Sequence, residues 1–222
     1  MLKAFGRIIN LLTTDHSSES CSEQEFMTGA NVTRDLQGRP SQQYFETLSE
    51  LLLLPPELLL KILDFAEIWC STGETPFLHK GLLSVHNNRQ VASETHPLTA
   101  QEVHSLRRVT FRVTSKDQGW STNNIEQHGT YEGSFTWHEA EIVGGDSETG
   151  ETISKGRFEL QRNIHASKDF SDYCIVINQD HDLFSAFSPG CVIKLLACAQ
   201  FPGWINRVLN ATIELQFSDT FS

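Results

Sequence analysis

The chain has 222 residues, of which 39% are hydrophobic and 20% charged, and a formal net charge of −11. That length holds one sizeable domain plus appendages. The acidic balance argues against nucleic acid and anionic membrane surfaces as partners, since both attract basic patches, and no basic cluster exceeds Arg107-Arg108.

The opening residues 1–12 are apolar but broken by Lys3, Arg7 and Asn10. They read as a frayed amphipathic helix rather than a secretory signal, and no apolar run is long enough to span a bilayer. Residues 13–43 are rich in Ser, Thr, Glu, Gln and Asn without a sustained period, so residues 1–43 are expected to be a disordered N-terminal region. The five cysteines (Cys21, Cys70, Cys174, Cys191 and Cys198) form no even framework and no C-x-x-C pair. They read as reduced, mostly buried thiols of a cytoplasmic or nuclear protein.

Residues 44–70 form a helical segment. Tyr44 to Leu53 is a short helical pattern, and Leu54-Pro55-Pro56-Glu57 opens a helix running to Trp69. Proline suits a first turn, and Glu57 suits the positive end of the helix dipole. Glu57, Lys61, Asp64 and Glu67 make one narrow polar stripe on a helix that is apolar elsewhere. Such a helix is covered on most sides, either by its own chain or by a partner docking on Leu58, Leu59, Ile62 and Phe65. Residues 71–104, punctuated by Gly73, Pro76, Gly81, Asn87-Asn88 and Pro97, read as a linker with one short helix near 77–85.

Residues 105–218 read as strands. In Arg107–Ser115, Val109, Phe111 and Val113 share one face, while Arg108, Thr110, Arg112 and Thr114 share the other. Thr130–Val143 changes parity between Trp137 and Ala140, which places a bulge near His138-Glu139. Arg157–Ala166 alternates again, and Tyr173–Ile177 and Cys191–Ala199 are denser. Val208–Phe217 closes the set with Leu209, Ala211, Ile213, Leu215 and Phe217 inward. The expected fold is mainly β: a jelly-roll-type antiparallel β-sandwich preceded by a short α-helical segment and the disordered N-terminus. Consecutive antiparallel strands put loops 116–129, 167–172 and 200–207 at one end, and loops 144–156 and 179–190 at the other.

Two loop segments, Asp117-Gln118-Gly119-Trp120-Ser121 and Phe201-Pro202-Gly203-Trp204-Ile205-Asn206, therefore share an end. Trp120, Tyr131, Trp137 and Trp204 form an aromatic platform there in one reading. Asp117, Gln118, His128 and Asn206 then supply polar contacts, the combination a carbohydrate site uses. In the other reading Trp137 is core, Trp120 and Trp204 plug the sandwich end, and Asp117 bonds the Gly119 backbone in an Asx-turn. No nucleophile elbow, P-loop, H-E-x-x-H or G-x-G-x-x-G occurs. Glu139 and Glu141 read as a solvated strand face and Asp180-His181-Asp182 as a turn. Neither an enzyme nor a metal or cofactor site is expected.

The run Leu54-Pro55-Pro56-Glu57-Leu58-Leu59-Leu60-Lys61-Ile62-Leu63 resembles the opening of an F-box, and the pattern departs from it over Leu63–Trp69. The wider layout resembles a family of uncharacterised fungal proteins with a Leu-Pro-x-Glu helix and a β-domain. The matching residues are Asp117–Ser121, Gly129-Thr130-Tyr131 with Ser134, Thr136 and Trp137, and Phe201–Asn206. In outline the β-domain is similar to galactose-binding-like jelly rolls. These resemblances imply an intracellular, non-enzymatic recognition module. Its partner would be a protein such as the small adaptor of cullin-type ubiquitin ligases, or alternatively a glycan bound at the Trp120/Trp204 loop end.

Overall fold

A computed structural model describes residues 55–67, 69–145 and 152–218 of the chain. The expected disordered region, the pattern Tyr44 to Leu53, Cys21 and residues 146–151 of the acidic loop 144–156 lie outside those residues. The chain divides into two compact units, Met1–Gly73 with Gln216–Ser222, and Glu74–Leu215.

In the first unit, helix α1 spans Pro56–Phe65 with proline in its first turn and Glu57 at its positive end. It ends short of the expected Trp69. Glu67 adopts φ +55°, a left-handed conformation that halts a right-handed helix, and Trp69 Nε1 donates back to Asp64 Oδ1 at 2.9 Å. Leu59 and Leu63, one turn apart, are buried, whereas Leu58 and Phe65 face solvent. Strand β1, Cys70–Glu74, follows.

The second unit is a jelly-roll-type antiparallel β-sandwich. The expected linker over 71–104 is corrected here, because it supplies β2 (Leu83–His86) and β3 (Arg89–Glu94), with no helix near 77–85. Leu83 and Val85 are buried in alternation with exposed Ser84 and His86, a period too short to stand out between Gly81 and Asn87-Asn88. Asn87 has φ +41°, and the chain crosses there from one sheet to the other. Helix α2 (Ala100–Ser105) starts with a capping box, in which Thr99 Oγ1 accepts from Glu102 N and Thr99 N donates to the Glu102 carboxylate.

The remaining strands are β4 (Leu106–Lys116), β5 (Thr136–Gly145), β6 (Thr152–Arg162), β7 (Ser171–Asn178), β8 (Val192–Ala199) and β9 (Ile205–Phe217). One sheet runs β3-β8-β5-β6; in the other, β9, β4 and β7 lie side by side and β2 also pairs with β9. The alternation expected in β4 is present, with Val109, Phe111 and Val113 all interior. The β5–β6 register shifts between His138 and Glu139, where the parity change placed a bulge, and again between Ile142 and Val143. β5 begins at Thr136, so residues 130–135 belong to a loop. In β9 the expected inward set is corrected at Leu209. Asn206 and Val208 point inward, two successive outward residues follow, and the buried parity resumes at Ala211, Ile213 and Leu215.

A buried polar network joins the two sheets near one end. Ser115 Oγ on β4 donates to Asn163 Oδ1 at 2.7 Å and lies 2.9 Å from His138 Nε2 on β5. Asn163 Nδ2 donates to Thr136 Oγ1 and to Asn206 Oδ1, each at 3.0 Å. Asn206 Nδ2 on β9 donates across the sandwich to the carbonyls of Trp137 (2.9 Å) and Cys198 (3.2 Å). Interior polar groups left without such partners cost about 1–3 kcal/mol each. Asn206→Ala is therefore expected to lower unfolding stability by about 2–4 kcal/mol, read from the urea midpoint.

Candidate functional site

The loops after β4, β6 and β8 converge as their strand order requires. Asp117, just past β4, accepts from Gly119 N at 2.8 Å through Oδ1, forming the anticipated Asx-turn, and from Ala166 N at 2.6 Å through Oδ2. Gly119 needs its φ of +85°, and a Cβ there would sit 3.4 Å from the Ser167 carbonyl. Gln118 ties the two tryptophan segments together. Its Nε2 donates to the Trp120 carbonyl at 2.8 Å, and its Oε1 accepts from Ile205 N at 3.3 Å. His165 N donates to Thr130 O at 2.7 Å, and Gly129 N to His165 O at 2.9 Å, which fastens the loop carrying Tyr131 to the segment after β6.

This geometry separates the sequence-derived site residues into two groups. Asp117, Gln118, Trp204 and Asn206 are interior and serve as scaffold. Trp204, only 6% exposed, stands against Phe135 (centroids 5.2 Å, 77°) and His165 (5.2 Å, 41°), so it caps the sandwich end and offers no face to a ligand. Trp120 is 64% exposed and Tyr131 49%. His128 is half-buried beside His165. Of the four residues placed on the partner-binding helix, Leu58 and Phe65 are exposed, Ile62 is half-buried, and Leu59 is interior.

Three features escaped the sequence. Phe201 is 46% exposed and holds φ +72° immediately before Pro202, an uncommon conformation for a bulky residue. Its backbone N–H bonds Asn87 Oδ1 at 3.0 Å, and its ring meets Phe135 edge-on at 4.9 Å. Next to it, Asn87, Asn88, Arg89, Trp137, Ala199 and Gln200 line a depression of about 220 Å³. The third is the charged setting of Trp137, a residue that both readings of the sequence had named. It is core as the second reading held, but on the outer face of its sheet, with the Arg89 and Arg162 guanidiniums 5.8 and 5.6 Å from its ring. Its Nε1 donates to Glu139 Oε1 at 2.7 Å, and Arg89 forms a two-point pair with the same carboxylate. Burial pushes Glu139 up, and the bonds from Arg89 and Trp137 more than offset that, leaving it below the usual carboxylate range. The motif Phe-Pro-Gly was the only sequence signal for Phe201; the arginines on β3 and β6 gave none.

Titratable groups also lie in the interior beneath these loops. Ser115 and His138 make a hydroxyl–imidazole pair, yet both are fully interior. Burial lowers His138 to about 4, against the Asn163 and Leu196 contacts that raise it. Asp117 is held above its ordinary value by burial, partly offset by its two backbone N–H donors and the nearby histidines.

No protein-family profile matches the chain, and no curated protein does. Among solved structures it is similar to the infectious bursal disease virus VP2 subviral particle, at 10% identity over 68% of this chain and 33% of that one, TM-score 0.40. It is also similar to the xylanase Xyn10B CBM22-1-GH10 modules of Clostridium thermocellum complexed with xylohexaose, at 12% identity over 69% and 27%, TM-score 0.31. A third is a CBM29-2 variant complexed with cellulohexaose, at 14% identity over 65% and 91%, TM-score 0.27. The chain thus spans about a third of the viral protein it matches. At these TM-scores the likenesses say nothing about ligand or residue roles.

A neutral interior His138 makes stability depend on pH. Its folded value lies below the unfolded 6.5, so the unfolded chain takes up the proton first on acidification. His138 then contributes no loss above about pH 6.5, a growing loss down to about pH 4, and a constant one of roughly 3 kcal/mol below that. The His138 ring resonances in an NMR titration are expected to stay at the neutral position down to about pH 5.

Proposed function

We propose that the second unit is a non-catalytic recognition module that binds a glycan at its loop end. One observation carries the reading: among the described residues, every exposed aromatic side chain of that unit (Trp120, Tyr131 and Phe201) sits at this end, beside a depression lined by amides and a guanidinium. Flat aromatic faces cover the apolar side of a sugar ring, and Asn87, Asn88, Gln200 and Arg89 suit its hydroxyls. The scaffold below is tightly bonded, so the backbone that carries these rings is held in place before a ligand arrives, which reduces the ordering cost of binding.

A protein partner on α1 is the second reading, favoured by Leu58 and Phe65, seven residues apart and both exposed. Capture of the small adaptor of cullin-type ligases by the full chain, lost in Leu58→Asp/Phe65→Asp, is the result it requires.

For the glycan site, the full chain is screened on a glycan array. Trp120→Ala and Phe201→Ala are expected to weaken any hit about tenfold or more while leaving the thermal midpoint nearly unchanged, because both rings are exposed. An array without hits, or hits indifferent to Trp120→Ala, removes the proposal. Trp204→Ala is a different kind of variant: it opens the capped end and is expected to cost about 3–5 kcal/mol of stability.

A further inference from the structure

The depression of about 220 Å³ is lined by the turn Asn87-Asn88 between β2 and β3, Arg89 at the start of β3, Trp137 on β5, and Ala199-Gln200 where the chain leaves β8. Its polar groups are unevenly divided between donors and acceptors. Phe201 N donates to Asn87 Oδ1 at 3.0 Å, and Arg89 N donates to Asn88 Oδ1 at 2.8 Å. A backbone N–H can only donate, so these two bonds settle which end of each amide carries the oxygen. What remains of each side chain is its Nδ2 group, and neither Nδ2 has a partner among the described residues.

Arg89 adds to the same side of the balance. Its side chain is 49% exposed, and it uses two of its five N–H groups on Glu139. Glu139 is interior, with one oxygen engaged by Trp137 Nε1 and both by Arg89, so its acceptor capacity is spent largely within the chain. Exposed Gln200 can present either end of its amide. The turn itself is preformed, because Ala199 N donates to Asn88 O at 2.9 Å while Phe201 N holds Asn87. These donors can bond a hydroxyl oxygen, but the hydroxyl's own hydrogen then needs an acceptor. A carboxylate or a sulfate ester only accepts, and it matches every one of these groups.

We propose that the glycan bound at this end is acidic, and that its anionic oxygen group is held by Asn87 Nδ2, Asn88 Nδ2 and the Arg89 guanidinium. The proposal rests on the glycan reading above and names the class of sugar which that site takes. Glu139 offsets much of the Arg89 charge, so the anion is recognised by aimed hydrogen bonds rather than by a positive field. That suits a chain whose formal net charge is −11. Phe201 follows directly on Gln200, and its exposed ring is the aromatic surface for the apolar side of the same sugar.

The test is a glycan array that pairs each uronate-bearing, sialylated or sulfated glycan with its uncharged counterpart, probed with the full chain. Acidic members are expected to bind at least about tenfold more tightly than their counterparts. Asn87→Asp and Asn88→Asp keep the oxygen that the backbone uses and exchange Nδ2 for a second acceptor, so the thermal midpoint is expected to hold. Each is expected to weaken acidic hits about tenfold or more and to leave any neutral hit within about twofold. Binding of carboxylate-bearing glycans alone, or of sulfated ones alone, supports the proposal and tells the two anionic groups apart. Neutral glycans bound as tightly as acidic ones, and lost in Trp120→Ala, overturn it while the glycan reading stands. Acidic hits indifferent to both Asp variants overturn it as well, and an array without hits removes both.

Discussion

The sandwich depends on one side chain more than any other. Asn206 spends both amide hydrogens and its amide oxygen on groups from other segments: two carbonyls of the facing sheet and the amide of Asn163. Apolar contact between sheets is non-directional and tolerates sliding. A buried hydrogen-bond network is directional, and fixes which residue of β9 faces which residue of β5 and β8. Because Ser115, Thr136 and His138 join the same network, the strand ends beneath the aromatic loops hold a single arrangement.

That rigidity divides labour among neighbouring residues. Asp117 and Gln118 are buried and use their polar atoms on backbone groups of their own loop and of the loops after β6 and β8. In exchange Trp120, one residue beyond the turn at Gly119, stands in water on a fixed base. Phe201 is the mirror case: a side-chain amide from a third loop and an aromatic neighbour hold an unfavourable backbone angle in place. Inner polar residues and outer aromatic ones are two parts of one construction.

The sequence made legible whatever depends on near neighbours. Strand parity in β4, the bulge at His138-Glu139, the Asx-turn at Asp117 and the convergence of the Trp120 and Trp204 loops all follow from period-two patterning and alternating strand direction. Properties set by distant residues were hidden. Trp120 and Trp204 sit in similar glycine-bearing loops, yet one is wet and the other dry, because only Trp204 finds Phe135 and His165 waiting. β2 and β3 are four and six residues long, and turn-forming residues around them masked their alternation. The stacking of Arg89 and Arg162 on Trp137 joins β3 to the β5–β6 pair, and no local pattern encodes it.

Among the described residues β6 is an edge strand of its sheet, a row of backbone groups of the kind that can pair with another chain. Lys155, Arg157 and Glu159 alternate along it, all exposed. Any strand that added there would have to bring ionised side chains alongside its own or strip them of water. In a molecule already carrying a strong excess of negative charge, that arrangement discourages end-on growth into fibrils, and it does so without shortening the strand.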